Sequence, residues 1–399
     1  MTGRCAAGLA LLLACLAAVP ARTAEWTGGV TAEYWTGARV DDRGRSLSRF
    51  ALRPSVAADF GDRWRGELEL RAESAKDDTG LGTTETYASA SRPLVDDRDR
   101  RVEIDRAVLE GRFGATVLTL GKQTVPWGVL DGIQVTDRFD AVRRRDFLFT
   151  EVRPERLSRW GARLRTRAGG WRAELALALD GTVSQQALPG DAFALRAPRF
   201  RLGLPVEAPT PPLRVERPEH EVGDATVGLR LGRRFGAMDA TVLVLDGPET
   251  DPVLRPDPAG GGGILLVHPR RTLVGFTLEG SSGRRVWRLE AAHIPNQPVN
   301  LRPEAGAPLP FTDEIRARTL LGVGLDWNAP GGVFVNLQLV GDHTAGAGAR
   351  LYGPRHDLVG TLRLQRSFAR QTVRASLEVL GSLTDRDRAV RPELRWRVT

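Results

Sequence analysis

Residues 64–73 alternate without a lapse. Trp64, Gly66, Leu68, Leu70 and Ala72 are apolar or small, and Arg65, Glu67, Glu69, Arg71 and Glu73 between them are all charged. Successive side chains of a β-strand point to opposite faces, so this segment is a strand with one apolar and one fully charged face. The pattern recurs. Trp160, Ala162 and Leu164 alternate with Arg159, Arg163, Arg165 and Arg167; Trp171, Ala173, Leu175, Leu177 and Leu179 alternate with Arg172, Glu174 and Asp180. Near the C-terminus Val390, Leu394, Trp396 and Val398 alternate with Arg391, Glu393, Arg395 and Arg397. A soluble β-sandwich, with its charged face turned to water, alternates in the same way.

Spacing separates this from a soluble sandwich. About sixteen strands are expected, near 25–38, 48–60, 63–74, 101–113, 115–126, 157–168, 171–181, 223–235, 237–246, 270–281, 285–295, 316–328, 332–343, 355–369, 371–382 and 389–399. Their lengths match the roughly 9–11 tilted residues that cross a bilayer. After even-numbered strands the links are very short, as at Gly61-Asp62, Gly114, Gly169-Gly170 and Gly236. After odd-numbered strands they are mostly long, near 75–100, 127–156, 182–222, 247–269 and 296–315. The expected fold is therefore all-β: a single antiparallel transmembrane β-barrel over residues 22–399, with short periplasmic turns and long extracellular loops.

The aromatic residues fit two interfacial girdles. Phe60, Trp64, Phe113, Trp171, Phe235, Trp287, Trp327 and Phe368 lie beside the short turns, and Tyr34, Trp35, Trp127 and Trp160 lie toward the long loops. Pro54 and Pro392 interrupt strand-like runs, where each loses a ladder hydrogen bond. At the N-terminus Arg4 precedes an apolar run from Ala6 to Val19, which predicts a secretory signal over residues 1–21, with a cut after Ala24 as the alternative. The only cysteines, Cys5 and Cys15, fall inside it, so no disulfide frame or thiolate site is expected in residues 22–399. Leu12-Leu13-Ala14-Cys15 also resembles a lipoprotein processing box.

The expected lumen wall is charged and dominated by arginine. Of 57 basic residues only Lys76 and Lys122 are lysine. Arg65, Glu67, Arg71, Arg163, Arg165, Arg167, Arg172, Arg363 and Arg395 are assigned to the wall, opposed by Glu69, Glu73, Glu103, Glu174, Glu290 and Glu378. A net charge of +8 makes a passage favouring anions one reading, and wall charges that simply pair and hydrate the other. Nucleic acid is not an expected partner, because the arginines are interleaved along strands and not gathered in a patch. Outer-membrane lipid, lipopolysaccharide and small hydrophilic solutes are the expected partners, for a monomer or a homotrimer.

The third long connection reads Trp127-Gly128-Val129-Leu130-Asp131-Gly132 and continues through Asp137 to the basic run Arg143-Arg144-Arg145. Together with Gly121-Lys122-Gln123 and Pro126-Trp127-Gly128, it resembles porin-type barrels related to alginate-export and similar outer-membrane families. The resemblance spans about 40 residues. It implies that this loop folds into the barrel, with Asp131, Asp137, Asp140, Asp146, Arg143, Arg144 and Arg145 lining or bracing a constriction. The alternative is a short surface helix over 137–147. The proline-rich 182–222 loop reads as a lid or a surface loop. No cofactor, metal cluster or Gly-x-Ser-x-Gly elbow is read from the sequence, and no enzymatic activity is expected. The remaining alternatives are a non-conducting receptor or structural sheath, and a lipid-acting enzyme built on Asp342-His343-Thr344 and Ser281-Ser282.

Overall fold

The computed structural model describes residues 24–38, 46–76, 80–145, 155–187, 212–218, 222–257, 263–304, 311–346, 348–385 and 388–397. The expected signal segment, most of the 182–222 loop and Asp146 lie outside them. Sixteen long strands follow one another as a meander: β1 (24–38), β2 (46–60), β3 (64–75), β4 (100–113), β5 (116–123), β6 (159–168), β7 (171–178) and β8 (226–235). The second half comprises β9 (238–248), β10 (270–282), β11 (285–301), β12 (312–329), β13 (333–344), β14 (356–368), β15 (373–382) and β16 (388–396). Each is antiparallel to the next.

The count of about sixteen is too low: the described residues form 22 strands. The six additional ones, 95–96, 141–143, 155–157, 213–216, 253–257 and 263–267, span two to five residues each inside the long connections. Alternation cannot declare itself over so few residues. Short links of two to four residues join β2–β3, β4–β5, β6–β7, β8–β9, β10–β11, β12–β13 and β14–β15. At Gly169 and Gly170 both residues have positive φ, the backbone a two-residue hairpin turn needs.

The outer face is the apolar one. Leu229 is 54% exposed and Leu321 53%, and Leu175, Val242, Val274, Leu337, Leu377 and Leu394 are exposed with them. Water would penalise such a surface heavily, whereas lipid removes the penalty. The inner face carries the buried charge, including Arg71, Arg101, Glu103, Glu174 and Glu290.

Both strand prolines are tolerated for visible reasons. The β2–β3 ladder lapses at Arg53 and Pro54 and resumes in the same register at Ser55–Glu69. Pro392 sits on β16, which among the described residues pairs only with β15, so its missing N–H need not interrupt a second ladder. No ladder joins β16 to β1 among the described residues. The bending of the sheet is shown instead by what it encloses. Trp127 and Val129, two residues apart, donate hydrogen bonds to Glu174 on β7 and Glu290 on β11. On a flat sheet those strands would be about 19 Å apart.

Candidate functional site

The connection from β5 to β6, residues 124–158, is laid along the inner face of the sheet. A short strand pair, 141–143 with 155–157, replaces the alternative of a surface helix over 137–147, with 146–154 outside the described residues. Three kinds of contact hold the loop.

The first is a row of glycines that hollows the wall. A Cβ placed on Gly228 of β8 would lie 2.1 Å from the ring of Trp127. One on Gly322 of β12 would lie 2.4 Å from Leu130, and one on Gly324 2.7 Å from the same side chain. Any side chain at these positions would occupy the space the loop fills. Val125, Trp127, Leu130, Val135 and Phe139 pack there against Ala176, Leu243, Leu273, Ile294, Leu320 and Val340 of the wall. Trp127 is 0% exposed, so its expected place in an interfacial girdle is wrong: its indole is interior. Burial requires a partner for its N–H, and Glu174 accepts it at 2.6 Å.

The second contact is a carboxylate. Glu290 accepts hydrogen bonds from the backbone N–H groups of Val129, Leu130 and Thr136 and from the Thr136 hydroxyl, the last three at 2.7, 2.9 and 2.8 Å. These backbone donors would otherwise be unpaired beside an apolar wall.

The third is a network of ion pairs. Arg143 donates to Glu103 at 2.6 Å and to the Tyr87 hydroxyl at 2.9 Å, and approaches Glu73 at 3.3 Å. Arg71 pairs with Glu73 at 2.5 Å and with Glu155, which Arg53 also contacts at 2.7 Å. Arg156 pairs with Asp137, and Asp140 accepts from the Val125 N–H at 2.7 Å. Burial pushes the Asp140 carboxyl up to about 6, against the opposing pull of Arg159. In the β9–β10 connection, Glu249 is held by Arg271 of β10 at 2.7 Å, and Arg271 together with Arg138 outweighs burial to lower that carboxyl to about 2.

The expected constriction residues therefore brace more than they line. Asp137, Asp140, Arg143 and Arg145 are buried, Arg145 donating to the Gly80 carbonyl at 3.0 Å. Arg144 pairs with Asp251, and only Arg144 and Asp131 are half-buried. The Asn336 amide of β13 donates to Asp131 at 3.4 Å. Glu290 and the wall glycines, the residues that seat the loop, are scattered over β8–β12. Glu290 was legible only as one of several inward acids, and nothing in the sequence singled out these glycines.

Around the rest of the sheet the charged inner residues of β14, β15 and β16 pair among themselves. Arg363 and Arg391 converge on Glu378, at 3.3 Å for Arg363, while Arg395 pairs with Glu393 and Arg65 of β3 with Asp59 of β2 at 2.7 Å. Arg106 holds Glu67 at 2.8 Å, Arg163 holds Glu174 at 2.7 Å, Arg165 holds Glu110 at 3.0 Å and Arg172 holds Asp239. Arg167 is exposed beside the Gly169-Gly170 turn. The wall arginines are thus largely matched by carboxylates.

The residues of the enzyme alternative are not brought together. His343 stacks on His356 with ring centroids 4.4 Å apart, and Asp342 is paired with Arg318. Ser281 and Ser282 end β10 at a short turn, the opposite end of the sheet from the long loop that follows His343. Among the described residues no group of three or more potential metal ligands occurs.

Neither a protein-family model nor a curated protein matches the sequence. Solved structures do match in shape. The chain is similar to OccAB1 of Acinetobacter baumannii, with 9% identity, 94% of this chain and 85% of that one covered, and a TM-score of 0.51. The fold is that of a porin-like β-barrel. The chain is also similar to Salmonella typhi OmpF, solved in complex with daunomycin, at 10% identity over 91% of each chain with a TM-score of 0.47. The outer membrane channel DcaP of Acinetobacter baumannii matches at 11% identity, over 93% of this chain and 95% of that one, with a TM-score of 0.44.

Proposed function

We propose that the chain is an outer-membrane channel through which small hydrophilic solutes diffuse passively, reached through an N-terminal secretory segment. One observation carries this reading. The sheet turns its apolar face outward and its charged face inward, and the inward loop packs its apolar residues on the wall of β7–β13. Water and solutes pass between the loop and the sector formed by β14, β15, β16 and β1. No bond is broken, and selection is by width and charge.

The pairing of wall arginines bears on selectivity. A paired guanidinium contributes little net potential to a passing ion, so the paired wall arginines give only a weak anion preference. The test is the reversal potential of the refolded protein in a planar bilayer under a KCl gradient. The expected value is near zero with a small displacement toward chloride. A strong displacement toward potassium would contradict the reading of the wall, and absence of current from folded protein would contradict the channel itself. Sizing the same preparation in detergent separates monomer from homotrimer. The depth of the loop's seat is the one observation favouring a non-conducting barrel, and the current decides between the two.

A further inference from the structure

Many inner arginines have carboxylate partners, whereas four at the outer rim have aromatic ones. Arg63, Arg233, Arg285 and Arg366 are exposed, and none forms an ion pair among the described residues. All four lie at the short-turn end. Arg233, Arg285 and Arg366 share the outward parity of apolar neighbours on their own strands, such as Leu231, Trp287 and Leu364. Arg63 lies in the β2–β3 turn.

Each guanidinium lies over an aromatic ring of the same rim. Arg233 is 5.0 Å from the centroid of Trp171 and 5.5 Å from that of Phe235, and Arg366 is 5.2 Å from that of Phe368. Arg285 is 5.9 Å from Trp327, and Arg63 is 5.5 Å from Phe113. At the opposite end of the sheet the exposed Arg270 is different: it donates to Asp246 at 2.5 Å. An outward arginine at the edge of a lipid-facing surface is unfavourable unless its charge reaches polar headgroups. Ring stacking holds these four at the short-turn rim, with their N–H groups free of carboxylates.

We propose that this belt binds the phosphate groups of anionic phospholipids in the leaflet that the short turns reach. The inference rests on the reading of the chain as a membrane barrel. Charge complementarity selects the occupant: a phosphodiester accepts the guanidinium hydrogen bonds while its acyl chains cover the exposed rings and leucines.

The experiment compares retention of phosphatidylglycerol and phosphatidylcholine by the refolded protein in mixed micelles, read by native mass spectrometry. Wild type is expected to retain phosphatidylglycerol preferentially. Each Arg→Gln substitution among R63Q, R233Q, R285Q and R366Q should reduce that preference by about fivefold, and R270Q should leave it unchanged. The four-fold Arg→Lys variant should keep most of it, and raising NaCl from about 0.05 to 0.5 M should weaken it in wild type even if the glutamine variants do not fold. Equal retention of both lipids by wild type, or undiminished preference in the folded four-fold glutamine variant, would overturn the proposal. Loss of the preference to a matched concentration of inorganic phosphate would overturn the lipid as occupant and leave a phosphate site. Channel current from the same preparation separates failure of this inference from failure of the barrel reading.

Discussion

Two sectors of one sheet, built on the same alternation, have opposite interiors. From β7 to β13 the inner face carries Ala176, Gly228, Leu243, Leu273, Gly322, Leu320 and Val340, and a loop is packed on it. From β14 through β16 it carries Thr361, Arg363, Ser376, Glu378, Arg391, Glu393 and Arg395, whose charges pair with one another. The outer face is apolar in both. The period of a strand thus fixes which residues face inward, while the kind of residue at the inward positions decides whether that part of the wall seats protein or water.

The contrast breaks most severely at Glu290. Glu290→Ala leaves three backbone N–H groups and a hydroxyl without their acceptor, at about 3–5 kcal/mol. The expected result is a lower midpoint in denaturant titration and faster protease cleavage in the loop. Glu393→Ala, in the other sector, should change stability by less than about 0.5 kcal/mol. A Glu290→Ala protein as stable as wild type would show that the loop is not held there.

Filling the hollow comes next. Gly228→Leu drives a side chain into the Trp127 ring and should cost about 2–3 kcal/mol, visible in the heat-modified gel mobility of the barrel. Gly360→Leu on β14, whose Cβ would meet its neighbours no closer than 3.6 Å, should cost far less.

The pH response sharpens the comparison further. The Asp140 carboxyl is raised by burial from its ordinary 3.8 to about 6, so the seated loop favours the protonated form. That contribution is fully present below about 3.8 and is lost as pH rises through about 6. Lowering pH from 7.5 to 5 should therefore slow loop cleavage, by a factor corresponding to about 1–2 kcal/mol. Asp140→Asn should remove the dependence, and a pH response that survives this substitution would place its origin elsewhere.

The smallest effect on stability and the clearest on selectivity is expected from Arg395→Glu. It should move the reversal potential toward potassium while leaving the denaturation midpoint within about 0.5 kcal/mol of wild type. An unchanged potential would remove β16 from the path of the ions.

The strands were readable from sequence because alternation and loop sorting are local signals repeated many times. The run from Trp64 to Glu73 and the turn at Gly169-Gly170 each state their own geometry. The loop's seat was not readable. It depends on Gly228, Gly322, Glu290 and Asn336, which lie about a hundred residues or more from the loop segment they hold and meet it only when the sheet bends. Trp127 was misplaced for the same reason: beside a long loop an indole suits a girdle equally well until its N–H is seen to meet Glu174.

The most direct test is the single-channel conductance of the refolded wild type beside that of Glu290→Ala. The account predicts discrete steps from wild type, and larger or noisier steps once the loop is released. Folded wild type without steps, or identical steps from both proteins, would contradict a passage that runs between the seated loop and the uncovered wall.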